Sequence, residues 1–198
     1  MDNSEIREIV KRAKAGDETA FTQLVHLYSD RVYNLALRIL RKPDDAADVL
    51  QETFIKVYEK IHTFDGRSNF FTWLYRIATN LSLMKLRRDR RTVLSDEELE
   101  VYYDRPNSVE IQEWQDLPLQ NMLSEEFQRH LEEAVDSLPE IYRSVFVLRD
   151  LENLSIKETS KILGITETNV KVRLKRARMY LRDRLAKYMS ELIRTESS

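Results

Sequence analysis

Residues that interrupt helices are scarce in this chain, and this scarcity constrains its fold more than any other feature. Only three glycines and four prolines occur among 198 residues. Apolar residues recur at intervals of three and four along most of the sequence, which is the period of an amphipathic helix, and strand-like alternation is rare. The sequence therefore predicts an all-α protein.

The composition fits a soluble protein with helical cores, because 42% of the residues are hydrophobic and 33% are charged. No cysteine is present, which excludes disulfides and cysteine-ligated metal sites. No apolar run approaches the roughly 20 residues that span a bilayer. The first residues, MDNSEIREIVKRAK, lack the apolar segment of a signal peptide. We therefore expect a cytoplasmic protein without membrane insertion.

Charge is segregated along the chain, although its net value is only −2. Residues 1–91 carry 17 basic and 13 acidic side chains, residues 92–126 carry one and ten, and residues 127–198 carry 14 and 11. This pattern predicts two small helical domains, 1–91 and 127–198, joined by an acidic flexible linker at 92–126. The linker is either a solvated tether or an extended segment that enters a positive channel of a partner.

Aromatic and basic side chains are concentrated between Phe64 and Arg91. Five of the chain's eighteen aromatic residues lie at the start of this stretch, and five lysines and arginines lie at its end. Aromatic faces stack on unpaired bases and cations hold phosphates, so the stretch fits a groove for single-stranded nucleic acid. The alternative is a plain core helix, because apolar residues recur there at helical spacing. That apolar stripe consists of Phe70, Leu74, Ile77, Leu81 and Met84.

The opposite face of this predicted helix mixes aromatic, basic and amide side chains, which is unusual for a merely solvated surface. Ser68 or Asn69 is the predicted N-cap. The residues of the mixed face are Trp73, Arg76, Asn80 and Arg87.

An amphipathic helix is also predicted from Asp44 to Ile61. Its polar face is either plain solvent surface or a docking face for a basic partner helix, with Ile55 as the apolar anchor. The residues of that face are Asp48, Gln51, Glu52, Ile55 and Glu59.

The last block predicts a helix, a glycine turn and a second helix. Ser155 and Glu158 have the spacing of a capping box, and Gly164 allows the turn. From Thr166 to Arg184 there are seven basic and two acidic residues. A basic second helix of this kind suits the DNA major groove, and the alternative is an αα-hairpin with a solvated basic face. Its predicted buried stripe is Val170, Leu174, Ala177, Leu181 and Leu185.

No residue cluster suggests catalysis. The sequence has no carboxylate set with metal spacing and no phosphate-binding glycine loop, and its three histidines are scattered. We therefore expect no enzyme activity, no cofactor and no metal. A conventional helix-turn-helix transcriptional regulator is the alternative function, although the N-terminal half lacks the α/β pattern of a ligand or phosphoacceptor domain.

Three motifs resemble the bacterial extracytoplasmic-function (ECF) sigma factors, the two-domain members of the sigma-70 family. They are DAADVLQETFIKVY, FDGRSNFFTWLYRIATN and LPEIYRSVFVLRDLENLSIKETSKILGITETNVKVRLKRARMYLR, in the order and at the spacing of that family. The resemblance covers residues 5–91 and 127–188. It implies a protein that binds core RNA polymerase, recognises the −10 and −35 promoter elements and promotes promoter melting.

The resemblance implies three groups of site residues. The residues that would meet the clamp helices of the largest polymerase subunit are Asp48, Gln51, Glu52, Ile55 and Glu59. Those that would bind the −10 element are Phe64, Ser68, Asn69, Phe71, Trp73, Arg76, Asn80, Lys85, Arg87 and Arg88. Those that would bind the −35 element are Thr168, Lys171, Val172, Arg173, Lys175, Arg176 and Arg178.

The resemblance also implies partners: core polymerase, promoter DNA and an anti-sigma factor. The C-terminal domain would contact the flap region of polymerase, and the linker would pass near its active centre and RNA exit path. Many relatives carry a small polar residue at the position of Val172. Valine can contact a thymine methyl group but cannot hydrogen-bond a base, so the −35 sequence preference is left open.

Overall fold

The computed structural model describes residues 3–66, 68–89 and 125–196, and every regular element in these ranges is helical. The predicted all-α class is confirmed for this part of the chain. Its helices are α1 (Asn3–Lys14), α2 (Glu18–Leu40), α3 (Pro43–Lys60), α4 (Phe70–Asp89), α5 (Glu125–Ser137), α6 (Glu140–Phe146), α7 (Ile156–Leu163) and α8 (Glu167–Glu196). A 3₁₀ turn (Ile61–Thr63) follows α3, and a π-helical turn (Val147–Leu151) follows α6. Most of the predicted linker, residues 92–124, lies outside the described residues.

An aspartate caps the start of α2, and aspartate is one of the residue types that favour this position. Asp17 precedes the helix, and its Oδ1 accepts a hydrogen bond from the Ala20 N–H at 3.0 Å. The Thr19 hydroxyl, the Ala20 N–H and the Arg12 guanidinium all donate to this carboxylate, and they hold the pKa of Asp17 well below its ordinary range. The helix then runs without a break for 23 residues.

The turn between α7 and α8 also has its predicted geometry. The Ser155 hydroxyl accepts from the Glu158 N–H, and the Glu158 carboxylate accepts from the Ser155 N–H, which completes the capping box. Gly164 ends α7 with a φ of 67°, a left-handed conformation that glycine adopts without strain. The Ser160 hydroxyl donates to the Ile165 carbonyl at 2.6 Å and closes the turn.

By their contacts, α1–α4 and α7 form one unit, and α5, α6 and α8 form another. In the first unit, α2, α3 and α4 pack against one another, α1 lies on α2, and α7 lies on α4. Its fully buried residues include Leu24, Leu35, Val57, Leu74 and Tyr75. The domain boundaries at 91 and 127 follow the sequence pattern and stay predictions.

The prediction that Met84 belongs to the buried side of α4 is wrong. Phe70, Leu74 and Leu81 are buried, as predicted, but Met84 is 65% exposed. Leu86 instead packs against the cluster that contains Leu81. This cluster lies at the junction of α2 and α3, so the buried arc of α4 shifts away from Met84 in its last turns.

The second unit packs α5 and α6 against α8. The predicted inward stripe of α8 is confirmed, because each of its five residues is no more than 5% exposed. The buried apolar residues of α5, α6 and the connection between them are Ala134, Val135, Leu138, Tyr142, Val145 and Phe146. The buried Arg143 guanidinium donates to the carbonyls of Asp136 and Leu138, so it ties the end of α5 to α6.

Candidate nucleic-acid interface

Aromatic rings form a continuous cluster where the segment after α3 meets the start of α4. The Phe64 ring centroid lies 5.7 Å from that of Phe70 and 5.3 Å from that of Trp73. Phe64 and Phe70 are 7% and 4% exposed, whereas Phe71 and Trp73 are half-buried. Of the predicted base-stacking residues, Phe71 and Trp73 therefore present ring surface to solvent, and Phe64 supports Trp73 from within.

Phe71 belongs to an arrangement that the sequence did not indicate. Its ring centroid lies 4.0 Å from that of Tyr75 and 6.3 Å from that of Tyr28 in α2. The exposed Arg31 places its guanidinium 5.7 Å from the Phe71 centroid, a cation–π distance. Tyr28 and Arg31 have a spacing that is common in helices. This spacing does not predict that Arg31 contacts Phe71.

Asn69 and Ser68 lie immediately before α4. The Asn69 Oδ1 accepts a hydrogen bond from the Phe71 N–H at 3.2 Å, so Asn69 is the N-cap, one of the two predicted candidates. Ser68 is half-buried and Asn69 is exposed. The cap fixes the residue at which α4 begins, and it therefore sets the directions in which the aromatic side chains of α4 point.

The mixed face predicted for α4 is open to solvent over most of its length. Arg76, Asn80, Arg87 and Arg88 are all exposed. Trp73, Arg76 and Asn80 are spaced by three and four residues, so they share one side of the helix. This side combines a ring, a cation and an amide, which can respectively stack on a base, hold a phosphate and hydrogen-bond a base edge.

The first turns of this face also lie against α7. Trp73 and Arg76 line a cavity of about 370 Å³ together with Lys161 and Gly164. On this side, Trp73 and Arg76 are therefore adjacent to α7.

Lys85, a predicted phosphate contact, is bound to two carboxylates of α3. Its Nζ lies 3.0 Å from Asp45 Oδ1 and 2.8 Å from Asp48 Oδ2. The hydrogen bonds to Asp48 and then Asp45 raise the pKa of Lys85. Contact with DNA requires Lys85 to leave these carboxylates. Asp48, which was predicted to bind polymerase, is therefore also engaged in an ion pair with Lys85.

The rest of the predicted docking face on α3 is exposed. Gln51, Glu52 and Glu59 surround Ile55, whose exposed fraction is 58%. Tyr58 beside it is 60% exposed. The sequence does not single out Tyr58, because tyrosine fits equally well in a helical core. Two large apolar side chains within an acidic rim give this face the composition of a protein-binding surface.

The N-terminal half of α8 presents a narrow exposed face. Thr168, Lys171, Val172 and Lys175 are all exposed, and their spacing of three, one and three places them on one side of the helix. Val172 is 42% exposed, so it lies on the surface and not in the core. This face has the shape and charge of a major-groove reader.

Three other predicted −35 contacts are less accessible. Arg173, Arg176 and Arg178 are half-buried. The Arg178 guanidinium donates two hydrogen bonds to Asp150, at 2.7 and 2.8 Å, and this bond raises the pKa of Arg178. The role of Arg178 as a DNA contact stays a prediction. To contact DNA, Arg178 has to release the Asp150 carboxylate, which is only 11% exposed.

Within the described ranges, no three metal-ligating side chains are grouped so that they could hold an ion. None of the helices in these ranges is long and apolar enough to cross a membrane.

Comparison with protein families gives two matches. Residues 24–92 match the family described as Sigma-70 region 2, and residues 128–181 match the family described as Sigma-70, region 4. The first match includes α3 and α4, and the second includes α6, α7 and the first half of α8.

Similar curated proteins extend over nearly the whole chain. The ECF RNA polymerase sigma factor SigW of Bacillus subtilis is 36% identical over 180 residues, which is 91% of this chain and 96% of that protein. The ECF RNA polymerase sigma-E factor of Haemophilus influenzae is 34% identical over 185 residues, 91% of this chain and 95% of that protein. The sigma-E factor of Escherichia coli is 37% identical over 174 residues, 86% and 88% of the two chains.

Solved structures show a similar fold. CnrH in complex with the cytosolic domain of CnrY has a TM-score of 0.66 and 25% identity, and the match covers 91% of this chain and 97% of that one. The sigma factor RpoE of Bartonella quintana, in complex with the anti-sigma factor NepR, has a TM-score of 0.59 and 25% identity, over 84% and 96% of the two chains.

Proposed function

Because this chain belongs to the ECF group of the sigma-70 family, we propose that it joins core RNA polymerase and opens promoters through three surfaces. These are the exposed face of α3, the aromatic and basic start of α4, and the exposed face of α8. The observation that carries the proposal is the side of α4 on which Trp73, Arg76 and Asn80 combine stacking, phosphate-binding and base-reading groups.

The face of α3 docks on the clamp helices of the largest polymerase subunit. Ile55 and Tyr58 are its apolar anchors, and the surrounding acidic and amide groups complement a basic partner. Asp48 acts partly within the protein, because it holds Lys85. We therefore assign Lys85 to positioning α4 against α3 rather than to DNA.

The α4 surface captures the unpaired strand of the −10 element. Extruding a base costs a few kcal/mol. Stacking on an aromatic ring returns about 1–3 kcal/mol per base. Phe71 and Trp73 supply the ring surface, so a captured base roughly offsets its own extrusion. The remaining energy of promoter opening comes from polymerase.

The face of α8 reads the −35 element in the major groove. Lys171 and Lys175 contact phosphates or guanines, and Val172 contacts a thymine methyl group. Thr168 lies at the N-terminal end of this face. Arg178 holds Asp150 and thereby fixes α8 on the π-helical turn, so we assign it to positioning the reader.

The remaining assignments follow from membership of the family. The protein acts in the cytoplasm, where polymerase and the chromosome are, and it catalyses no reaction of its own. Its C-terminal part contacts the flap region of polymerase. An anti-sigma factor holds it inactive, as the similar sigma factor RpoE of Bartonella quintana was solved in complex with the anti-sigma factor NepR.

Run-off transcription with core polymerase tests this function directly. The wild-type chain should direct initiation from a cognate promoter. Asn80→Ala should lower promoter opening more than closed-complex binding, and Asn34→Ala, which removes an exposed amide from α2, should change neither. Failure of the wild-type chain to associate with core polymerase would refute the proposal.

The polymerase-docking face has its own test. Ile55→Ala and Tyr58→Ala should each weaken binding to core polymerase by more than about 1 kcal/mol if these residues are anchors. Leu27→Ala, on an exposed apolar residue of α2, is the matched control. Equal effects of all three changes would show that α3 has no special role.

A further inference from the structure

The acidic docking face of α3 is partly neutralised by lysines of the protein itself. The face has three carboxylates, and the residues that carry them, Asp48, Glu52 and Glu59, are all exposed. Lys85 Nζ lies 2.8 Å from Asp48 Oδ2. Lys56 Nζ lies 3.3 Å from Glu52 Oε1. A basic partner therefore meets a face on which two of the three carboxylates already have a cation.

Both ion pairs lie at the surface of the protein. The side chain of Asp48 is 69% exposed, and that of Glu52 is 55% exposed. Ion pairs of such exposure are weak, because water and salt screen the two charges. A cation of a partner can therefore replace either lysine at a small cost in free energy.

Lys85 has a second carboxylate that stays with it during such a replacement. Its Nζ lies 3.0 Å from Asp45 Oδ1, and the side chain of Asp45 is only 19% exposed. When Asp48 turns to a partner, Lys85 keeps Asp45, so its charge does not lose every acceptor. This arrangement favours the exchange of Asp48 between two cations, because Asp48 is the more accessible of the two carboxylates.

The apolar anchors of the same face have no comparable competitor. Ile55 and Tyr58 are 58% and 60% exposed, so a partner can bury most of both side chains. If the carboxylates are paired before docking, the affinity of the face depends chiefly on these two anchors. A basic surface that lacks a groove for Ile55 then gains little from contact with α3.

We propose that Lys56 and Lys85 compete with the cations of the docking partner, so that binding to α3 is an exchange of ion pairs. The clamp helices of polymerase supply one cation to Glu52 and another to Asp48, and each displaces the lysine that was there. The two lysines thereby lower the affinity of the face for charge alone. The proposal rests on the proposed function, because it takes polymerase as the partner, and it adds two residues to the docking surface.

A double-mutant cycle on the Kd of the 198-residue chain for core polymerase tests the competition at Asp48. Lys85→Met should tighten binding about threefold, since an exposed ion pair contributes a factor of up to about five. In the Asp48→Asn background, Lys85→Met should leave Kd unchanged, because the contested carboxylate is gone. The loss of the Asp45 contact occurs in both backgrounds and cancels in the comparison.

Two further measurements separate competition from a structural role of Lys85. Lys85→Arg keeps the charge and its acceptors, so it should retain the wild-type Kd. Lys85→Met should make binding to polymerase more sensitive to salt, because the partner's cation then meets an unpaired carboxylate and the attraction between them is screened.

The pair of Lys56 with Glu52 has its own cycle and a matched control. Lys56→Met should tighten binding in the wild-type chain and not in the Glu52→Gln background. Lys60→Met is the control, because Lys60 is an exposed lysine one turn further along α3 and forms no ion pair among the described residues. Its effect should be smaller than that of Lys56→Met and the same in both backgrounds.

Three results would overturn the competition and leave the proposed function standing. In the first, Lys85→Met tightens binding equally with and without the Asp48 carboxylate, so general charge explains the gain. In the second, Lys85→Met leaves Kd unchanged, and in the third it weakens binding, which would make Lys85 a support of docking. If the wild-type chain does not bind core polymerase, the proposed function itself fails, and the competition fails with it.

Discussion

The candidate DNA surfaces of the two units differ in how they relate to the cores beneath them. At the start of α4, the interface is continuous with the core, because the buried rings of Phe64 and Phe70 contact the half-buried ring of Trp73. On α8, the interface is a row of exposed side chains, and the core stripe lies on the other side of the helix. Lys171 and Lys175 have no part in packing.

This difference indicates which form of DNA each surface suits. A recess with aromatic walls accepts a base that has left the helix, and it cannot accept a duplex. An exposed helix face with cations enters a major groove, where base edges are read without opening. We expect binding and stability to be coupled in the first unit and separable in the second.

The largest effect should come from Phe64→Ala. Truncation of a buried phenylalanine costs about 3–5 kcal/mol of unfolding free energy, because a cavity is left in the core. Binding of the −10 strand should fall as well, since Trp73 loses its support. Phe71→Ala, at a half-buried ring, should cost less stability. Urea unfolding and strand binding measured on the same samples check both effects.

Asp150→Ala should have a smaller effect on stability, as measured by urea unfolding. Removal of this carboxylate leaves the Arg178 guanidinium without its paired acceptor and should cost about 2 kcal/mol of stability. Asp183→Ala is the matched control, because its pair with Arg182 is 40–44% exposed and should contribute less than about 1 kcal/mol. Equal losses of stability in the two variants would contradict the positioning role of Asp150.

The smallest effect is expected at Lys85. Its raised pKa means that the folded protein holds this proton more tightly than the unfolded chain does. The stabilisation is therefore fully present below about pH 10.4, the ordinary pKa of lysine, and is lost as pH rises through the higher folded pKa. Lys85→Met should cost less than about 1 kcal/mol near pH 8, and the difference should shrink at alkaline pH. A pH-independent difference in urea unfolding would show that the ion pairs are not its source.

Features that depend on local spacing could be predicted from the sequence. The caps at Asp17, Asn69 and Ser155, the turn at Gly164 and the buried stripe of α8 all follow from residues within one or two helical turns. Sequence motifs also identified the exposed faces of α3 and α8. Periodicity carries this information because a helix repeats its contacts every three or four residues.

Features that depend on tertiary packing could not be predicted. Lys85 pairs with Asp48, 37 residues away, and Arg178 pairs with Asp150, 28 residues away. Each lies in a basic run, and the family resemblance assigned it to DNA. The exposure of Met84 has the same origin, since the buried arc of α4 depends on where α2 and α3 meet.

Strand selectivity of the holoenzyme is the most direct test of the contrast between the two surfaces. Arg76→Gln/Asn80→Ala and Lys171→Gln/Lys175→Gln should each be assayed for binding to a single-stranded −10 oligonucleotide and to a −35 duplex. We predict that the first pair weakens only single-strand binding. The second should weaken only duplex binding and lower its salt slope by about 1.8. Equal losses on both DNAs in both variants would contradict the assignment of unpaired DNA to α4 and duplex DNA to α8.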